Sequence, residues 1–192
     1  MTAKVGDFGL ARLLVQSSTD QASISSTHVL RGSIGYIPPE YGWGEKPSTA
    51  GDVYSFGIVL LELFSGKSPQ DDCFTGDLGI RKWVQSAFKN KAIQVIDTQL
   101  LSLIFHDDSA RDSNLQLNCV DAIMGVGMSC TADNPDDRIG IRVAVRQLKA
   151  ARDSLMNQSN IYIRSPTDIK RGSDFPRLLR QRSNRYTMSD KK

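Results

Sequence analysis

Four places in this chain, residues 7–9, 32–40, 52–57 and Arg138, have side chains and spacing that could carry chemistry. Asp7 stands directly before Phe8 and Gly9, and carboxylate oxygens are the ligands that a hard divalent cation prefers. Glycines recur in residues 32–36, where their small size would let another backbone approach closely. The remaining candidates are charged residues suited to ion pairs or hydrogen bonds, namely Glu40, Asp52 and Arg138.

Asp7, the glycines and the Glu40 and Arg138 charges also have a plainer interpretation. Asp7 could merely begin a loop and cap a turn, and the glycines of residues 32–36 could simply make turns. Glu40 and Arg138 could be two surface charges that never meet. The elements that would position these residues therefore decide which interpretation holds.

A strong central helix is predicted between Ser48, a good N-cap, and Gly66, a good C-terminal stop, with Pro69 preventing continuation. Its apolar residues cover all sides of a 3.6-residue period rather than one stripe, which predicts burial all round. We expect this helix, residues 48–65, to lie at the centre of the domain.

Three amphipathic helices are predicted after the central helix, from apolar residues repeating at helical spacing. They contain residues 80–88, 115–126 and 144–155, with a polar turn at 134–137 before the third. The apolar stretch 100–105 is predicted to contribute to the core without regular helix. Because no segment has a convincing strand pattern, the predicted fold class is mainly α.

The composition is typical of a soluble globular domain, with 40% hydrophobic and 23% charged residues. Residues 13–35 are rich in Ser and Thr without a period, which predicts a long flexible loop. Residues 159–192 are predicted to be a basic disordered tail. Asp residues interrupt its charges, so we favour a solvated tail over one that binds lipid or nucleic acid. The longest apolar run, residues 56–64, is shorter than the roughly 20 residues of a membrane helix.

The other reactive side chains are interpreted as ordinary. Cys73, Cys119 and Cys130 form neither a CxxC pair nor a Cys/His cluster, so free thiols in a reducing compartment are expected. His28 and His106 are expected to be solvated. The 192 residues contain neither a Gly-x-Gly-x-x-Gly run nor a His-Arg-Asp triplet.

The four groups occur in an order and spacing that resemble a known pattern. From Thr2 to about Leu155 the chain resembles the C-terminal lobe of a protein kinase, in the style of plant receptor-like Ser/Thr kinases with leucine-rich-repeat ectodomains. The motifs that carry this resemblance are Asp-Phe-Gly at 7–9, Gly-Ser-Ile-Gly-Tyr-Ile-Pro-Pro-Glu at 32–40, Asp-Val-Tyr-Ser-Phe-Gly at 52–57 and the arginine at 138.

The resemblance implies a kinase-like C-terminal lobe that is truncated just before the metal-binding loop and lacks the N-terminal lobe. Residues 1–158 are then a partial kinase domain, with an activation segment at 7–40, the central helix at 48–65 and further helices to 157. In this family pattern Asp7 would hold Mg²⁺ in the full domain. The implied activation-segment residues are Phe8, Gly9, Ser25, Ser26 and Thr27, and the implied substrate-loop residues are Gly32, Ser33, Gly35 and Tyr36.

The same pattern assigns structural roles to three charged residues. Glu40 would pair with Arg138 across the lobe. Asp52 would accept hydrogen bonds from a catalytic loop that these 192 residues do not contain, so it must find other donors or stay in water. Two departures from the pattern are Ser33, where the family usually has Thr, and Pro38, where it has Ala.

The implied function is part of a receptor-like Ser/Thr kinase, with ATP-dependent protein phosphorylation in the full domain. No catalytic residue is assigned, because the phosphate-binding Lys and the catalytic base cannot be found in the sequence. We therefore expect the chain alone to be inactive and to bind neither Mg²⁺ nor ATP. The alternative is a non-catalytic interaction or decoy module.

The resemblance also implies partners and a location. The implied partners are full-length receptor kinases or co-receptors, and a protein substrate in the full domain; no nucleic acid is expected. Contact with a membrane is expected only through a segment outside these residues. The expected location is cytoplasmic as written, or the cytoplasmic side of the plasma membrane if the chain is part of a longer receptor.

Overall fold

The computed structural model describes residues 4, 6, 8, 9, 11, 32–76, 78–88, 92–105 and 110–160. These residues form helices and connecting turns, with no strand among them, so the mainly α prediction is confirmed. The predicted activation-loop residues Ser25, Ser26 and Thr27 lie outside the described residues, as do Asp7 and the predicted tail from residue 161.

The helices are α1 (Pro39–Gly42), α2 (Thr49–Ser65), α3 (Ile80–Phe88), α4 (Thr98–Ile104), α5 (Ala110–Cys130) and α6 (Ile141–Asn160), with short 3₁₀ helices at Ala92–Val95 and Pro135–Asp137.

The chain divides into two compact units. One is Arg12–Met156, and the other combines Met1–Ala11 with Asn157–Lys192. In the second unit, the Ala11 amide donates a hydrogen bond to the Phe8 carbonyl at 3.0 Å. The helices and contacts discussed below belong to the first unit.

The central helix α2 begins and ends at the residues that its capping signals predict. The Ser48 side chain accepts a hydrogen bond from the Gly51 amide at 3.1 Å, which satisfies one of the free donors at the helix start. Gly66 ends the helix in the left-handed conformation with φ of 71°, which glycine adopts without steric cost.

Two apolar clusters lie on different sides of α2. The first includes Ile58 and Leu61 of α2 together with Met124 of α5, and the second includes Val53 and Leu60 with Val126. The strongest helix–helix contact joins α2 to α5, where Gly57 approaches the carbonyl oxygen of Gly127.

Burial of α2 on all sides was predicted, and this prediction is wrong for one stripe. Val59 and Leu63 are 39% and 37% exposed, and they are one helical turn apart. Among the described elements, α5 and α3 make the most extensive contacts with α2. The apolar residues of α2 therefore indicated which of its sides can be buried. The packing of the neighbouring helices decided which of those sides are buried in the folded chain.

The three predicted amphipathic helices are confirmed as α3, α5 and α6, but the stretch 100–105 was wrongly predicted to be irregular. It lies largely in α4, which Asp97 caps by accepting hydrogen bonds from the amides of Gln99 at 2.6 Å and Leu100 at 3.4 Å. The Asp97 amide also donates to the Phe64 carbonyl of α2 at 2.9 Å. A short apolar run without a clear period is thus helical because its cap is good and its start is tied to α2.

No helix within the described ranges is both long and apolar enough to cross a membrane.

Candidate functional site

The glycine-containing run 32–36, called here the substrate loop, is a tight turn directly before α1. Its two glycines have positive φ angles, 144° at Gly32 and 89° at Gly35, which residues with a side chain rarely adopt. The Tyr36 amide donates to the Ser33 carbonyl at 3.1 Å and closes the turn. The side chains of Ser33 and Ile34 are exposed, so the loop presents them to solvent.

Two hydrogen bonds attach the end of the substrate loop to α2. The Tyr36 hydroxyl donates to Glu62 Oε2 at 2.6 Å, and the Ser55 hydroxyl donates to the Tyr36 carbonyl at 2.7 Å. The loop is therefore fixed to the core helix at a backbone group and at a side chain.

Glu62 was not identified from sequence as part of this site. A signal was present, because Glu62 is the one charged residue in the otherwise apolar and small residues 53–65. A buried carboxylate needs a hydrogen-bond donor, and Tyr36 supplies one. Which donor would meet it depends on how the loop crosses α2, and the sequence pattern does not contain that information.

Immediately after the substrate loop, α1 places Glu40 against Arg138. The pair is bidentate: Arg138 Nη1 lies 2.7 Å from Glu40 Oε1, and Nη2 lies 2.7 Å from Oε2. Both side chains are only 1% exposed. This geometry matches the planar fork of a guanidinium to a carboxylate, and it joins two points 98 residues apart in the chain.

The other donors of Arg138 are also occupied. Nη1 donates to the Ala50 carbonyl at 3.0 Å, Nε to the Ala132 carbonyl at 2.9 Å and Nη2 to the Asp133 carbonyl at 3.4 Å. The guanidinium carbon lies 4.9 Å from the centre of the Tyr54 ring, a distance suited to a cation–π contact. Arg138 therefore holds α1, the start of α2 and the turn before α6 in one hydrogen-bonded cluster.

The charge state of Glu40 follows from this cluster. Burial by itself would raise the pKa of Glu40, but the hydrogen bonds from Arg138 and the backbone, with the Arg138 charge, outweigh it. The pKa of the carboxyl is held below its ordinary value of 4.5. Glu40 is therefore ionised at neutral pH, and the pair is a true ion pair.

A pH dependence of stability follows from the lowered pKa of Glu40. Unfolded chains protonate this carboxyl near its ordinary pKa of 4.5, and folded chains only at a lower pH. The stabilisation is thus complete above about pH 4.5 and is lost as the pH falls through the folded pKa. We expect the difference in melting temperature between the wild type and Glu40→Gln to shrink when the pH is lowered from about 7 to about 3. A difference that stays constant down to the lowest pH would contradict the assignment.

The remaining predicted site residues are not gathered into this cluster. Asp52 lies in the first turn of α2 and is exposed. A carboxylate near a helix N-terminus is favoured by the helix dipole. No group of three or more His, Cys, Asp or Glu suited to a metal occurs in the part of the chain that the structure describes, and that part does not include Asp7.

Comparisons with known proteins identify the family of this chain. Residues 1–148 match the protein tyrosine and serine/threonine kinase family. A receptor-like protein kinase of Arabidopsis thaliana is 40% identical over 80% of this chain and 15% of its own length. The LRR receptor-like serine/threonine-protein kinase EFR of the same plant is 36% identical over 90% of the chain and 15% of its own length.

A rice relative gives the same result. The receptor kinase-like protein Xa21 of Oryza sativa subsp. japonica is 37% identical over 81% of this chain and 15% of its own length. The chain thus spans about 15% of the length of the curated relatives named here. Given the family match, the ordered motifs and the buried Glu40–Arg138 pair, this chain belongs to the protein tyrosine and serine/threonine kinase family and corresponds to part of the kinase domain of plant receptor-like Ser/Thr kinases.

Proposed function

We propose that this chain supplies the substrate-binding platform of a receptor-like Ser/Thr kinase domain and does not transfer phosphate by itself. The observation that carries the proposal is the substrate loop, which exposes Ser33 and Ile34, is bonded to α2 through Tyr36, and is followed by the buried Glu40–Arg138 pair. In phosphoryl transfer most of the catalytic effect comes from positioning and charge neutralisation. A loop fixed to a rigid helix suits the positioning of a peptide substrate.

In this proposal the residues divide into three roles. The substrate loop receives the peptide, and its exposed Ser33 and Ile34 face the residues around the acceptor hydroxyl. Glu40 and Arg138 hold the platform together without touching substrate. Asp7 is the candidate Mg²⁺ ligand of a complete domain, and Ser25, Ser26 and Thr27 are candidate regulatory phosphorylation sites in the same activation segment as Phe8 and Gly9.

The described residues do not fit a Mg²⁺–ATP site on their own. They contain no suitable acidic cluster, and the 192 residues contain no glycine-rich phosphate loop. We therefore assign Mg²⁺ and ATP to a complete kinase domain and derive no step of phosphoryl transfer for this chain alone.

Two activity measurements test the proposal. The purified 192-residue chain, mixed with labelled ATP, Mg²⁺ and a Ser-containing peptide, is expected to transfer no more label than its Asp7→Asn variant. A chimera that joins the N-terminal lobe and catalytic loop of a related receptor kinase to this chain is expected to phosphorylate the peptide, and to lose that activity with Asp7→Asn. Transfer by the chain alone that depends on Asp7, or a folded chimera without activity, would contradict the proposal.

The domain boundaries, partners and location are part of the same proposal. We assign residues 1–158 to the kinase domain and 159–192 to a separate basic tail. The partners are a protein substrate and other receptor kinases or co-receptors, on the cytoplasmic side of the plasma membrane. The second candidate function is a non-catalytic module that binds another kinase, for which the partly exposed Val59 and Leu63 of α2 would supply apolar contacts.

A further inference from the structure

A second turn, residues 68–71, lies against the substrate loop and is braced by its own hydrogen bonds. The Ser68 amide donates to Asp71 Oδ2 at 3.2 Å, and the Asp71 amide donates to the Ser68 carbonyl at 3.0 Å. The Gln70 amide donates to the Ser68 hydroxyl at 3.3 Å. Side chains of Ser and Asp that bond nearby backbone groups in this way stabilise turns, so this turn has a defined shape before it meets the loop.

Two residues at the tip of this turn contact the substrate loop. Gln70 Nε2 donates to the Ile34 carbonyl at 2.8 Å, across 36 residues of sequence. Pro69 lies directly against Gly35, since a Cβ placed on Gly35 would lie 2.7 Å from Pro69 Cβ. The Gln70 contact is a hydrogen bond, and the Pro69 contact is van der Waals packing that leaves no room for the loop to move towards it. Both contacts involve the central peptide units of the loop.

These contacts support the middle of the loop, at Ile34 and Gly35, whereas the bonds to α2 act at Tyr36. Tyr36 is tied to α2 through its carbonyl and its hydroxyl, but both bonds lie at the end of the loop. Without Gln70, the Ile34 carbonyl has no protein donor among the described hydrogen bonds. A peptide unit flanked by a glycine at positive φ has more backbone freedom than others, so its direction depends on such a support.

We propose that Gln70 and Pro69 are positioning residues that fix the Ile34–Gly35 backbone and thereby hold the Ile34 side chain outward, so that the loop prefers peptides with an apolar residue beside the acceptor hydroxyl. The preference follows from Ile34 itself, which is 78% exposed and offers an apolar contact with no charge. This inference rests on the proposed function of the substrate loop and names residues that determine its selectivity.

The first experiment measures loop order in the full 192-residue chain by hydrogen–deuterium exchange. Gln70→Ala and Gln70→Glu both remove the donor, and Gln70→Glu keeps the shape. Both are expected to speed exchange in the peptide covering residues 33–36 by about two- to tenfold, the range for losing one exposed hydrogen bond. Gln70→Lys, which can still donate, is expected to restore slow exchange. Gln147→Ala on the exposed side of α6 is the matched control and is expected to change nothing.

The second experiment measures selectivity by fluorescence anisotropy with two labelled peptides that differ only in Leu or Asp after the Ser. Wild-type chain is expected to bind the Leu peptide more tightly than the Asp peptide. Gln70→Ala is expected to reduce the ratio of the two affinities by about two- to tenfold, and Gln70→Lys to restore it.

The two experiments together decide both parts of the proposal. Equal exchange in wild type and all Gln70 variants overturns the positioning role, whatever the peptides do. Faster exchange with an unchanged Leu-to-Asp ratio overturns the selectivity role. Wild-type chain that binds neither peptide counts against the proposed substrate platform and against selectivity, while the exchange data still decide the positioning role.

Discussion

Replacing Arg138 with methionine is expected to destabilise the folded chain by about 3–5 kcal/mol, because the Glu40 carboxylate is left buried without its partner. The cost is large since both side chains are 1% exposed and joined by two hydrogen bonds of 2.7 Å. The whole stability of a domain is only about 5–15 kcal/mol. Urea unfolding followed by circular dichroism measures this change.

A milder variant and a double variant separate the ion pair from the rest of the cluster. Glu40→Gln keeps an acceptor for Arg138 and is expected to cost less than Arg138→Met. Combining Glu40→Leu with Arg138→Met removes both charges. The double variant is expected to lose less free energy of unfolding than Glu40→Leu and Arg138→Met lose in sum, by roughly 0.5–3 kcal/mol. Recovery should be incomplete, because the carbonyls of Ala50 and Ala132 also lose their arginine donor.

An exposed pair provides the control for this prediction. Arg152 lies 2.7 Å from Asp153, but the two side chains are 64% and 55% exposed. Ion pairs in water contribute about 0–1 kcal/mol, so Arg152→Met is expected to change stability very little. Similar losses for Arg138→Met and Arg152→Met would show that burial of the Glu40–Arg138 pair does not determine its contribution.

Replacing Gly57 with alanine is expected to destabilise the chain by about 1–3 kcal/mol, the usual cost of forcing an extra carbon into a packed core. A Cβ at this position would lie 2.6 Å from Thr131 Cγ2, 2.7 Å from Cys130 Cβ and 2.9 Å from the Gly127 carbonyl oxygen. Two of these neighbours, a carbonyl oxygen and a Cβ, are fixed to the α5 backbone, so α2 and α5 must move apart. Thermal or urea unfolding measures the loss.

Gly125 of α5 is the matched control, because it also lies inside a helix but a Cβ added there would have no atom within 4 Å apart from its chain neighbours and its own helix backbone. Gly125→Ala is expected to stabilise the chain by up to about 1 kcal/mol, since alanine favours helix over glycine by that amount. Both substitutions replace glycine with alanine in a helix, but their effects on the free energy of unfolding should have opposite signs. Stabilisation by Gly57→Ala would rule out a tight crossing of α2 and α5 at this residue.

Much of the local structure could be predicted from sequence because it depends on neighbours in the chain. Ser48 and Gly66 mark the ends of α2 through bonds within a few residues, and both ends were predicted correctly. The helical periods of α3, α5 and α6 are likewise local patterns. The irregular prediction for α4 failed because the apolar period was judged without the Asp97 cap that precedes it.

Only part of the candidate site could be predicted from sequence, and there is a physical reason why the rest could not. The roles of residues 32–40 and Arg138 were implied by the resemblance to a family, since nothing in the local sequence states that two residues 98 positions apart will meet. Glu62 and Gln70 were missed for the same reason. Their hydrogen-bond partners, Tyr36 and the Ile34 carbonyl, lie 26 and 36 residues away.

The amino-acid sequence alone determined α2 with its two caps, the helices α3, α5 and α6, and the family of this chain. Hydrophobic period, capping residues and ordered motifs are all patterns among residues along the chain, so they can be recognised without the fold. Only the tertiary structure decided that Glu40 and Arg138 are buried together, that Gly57 allows α2 and α5 to touch, and that Val59 and Leu63 stay exposed. Whether a side chain is buried depends on how several helices pack around it. The sequence of one helix shows which of its faces are apolar, but not which neighbouring helix will cover each face.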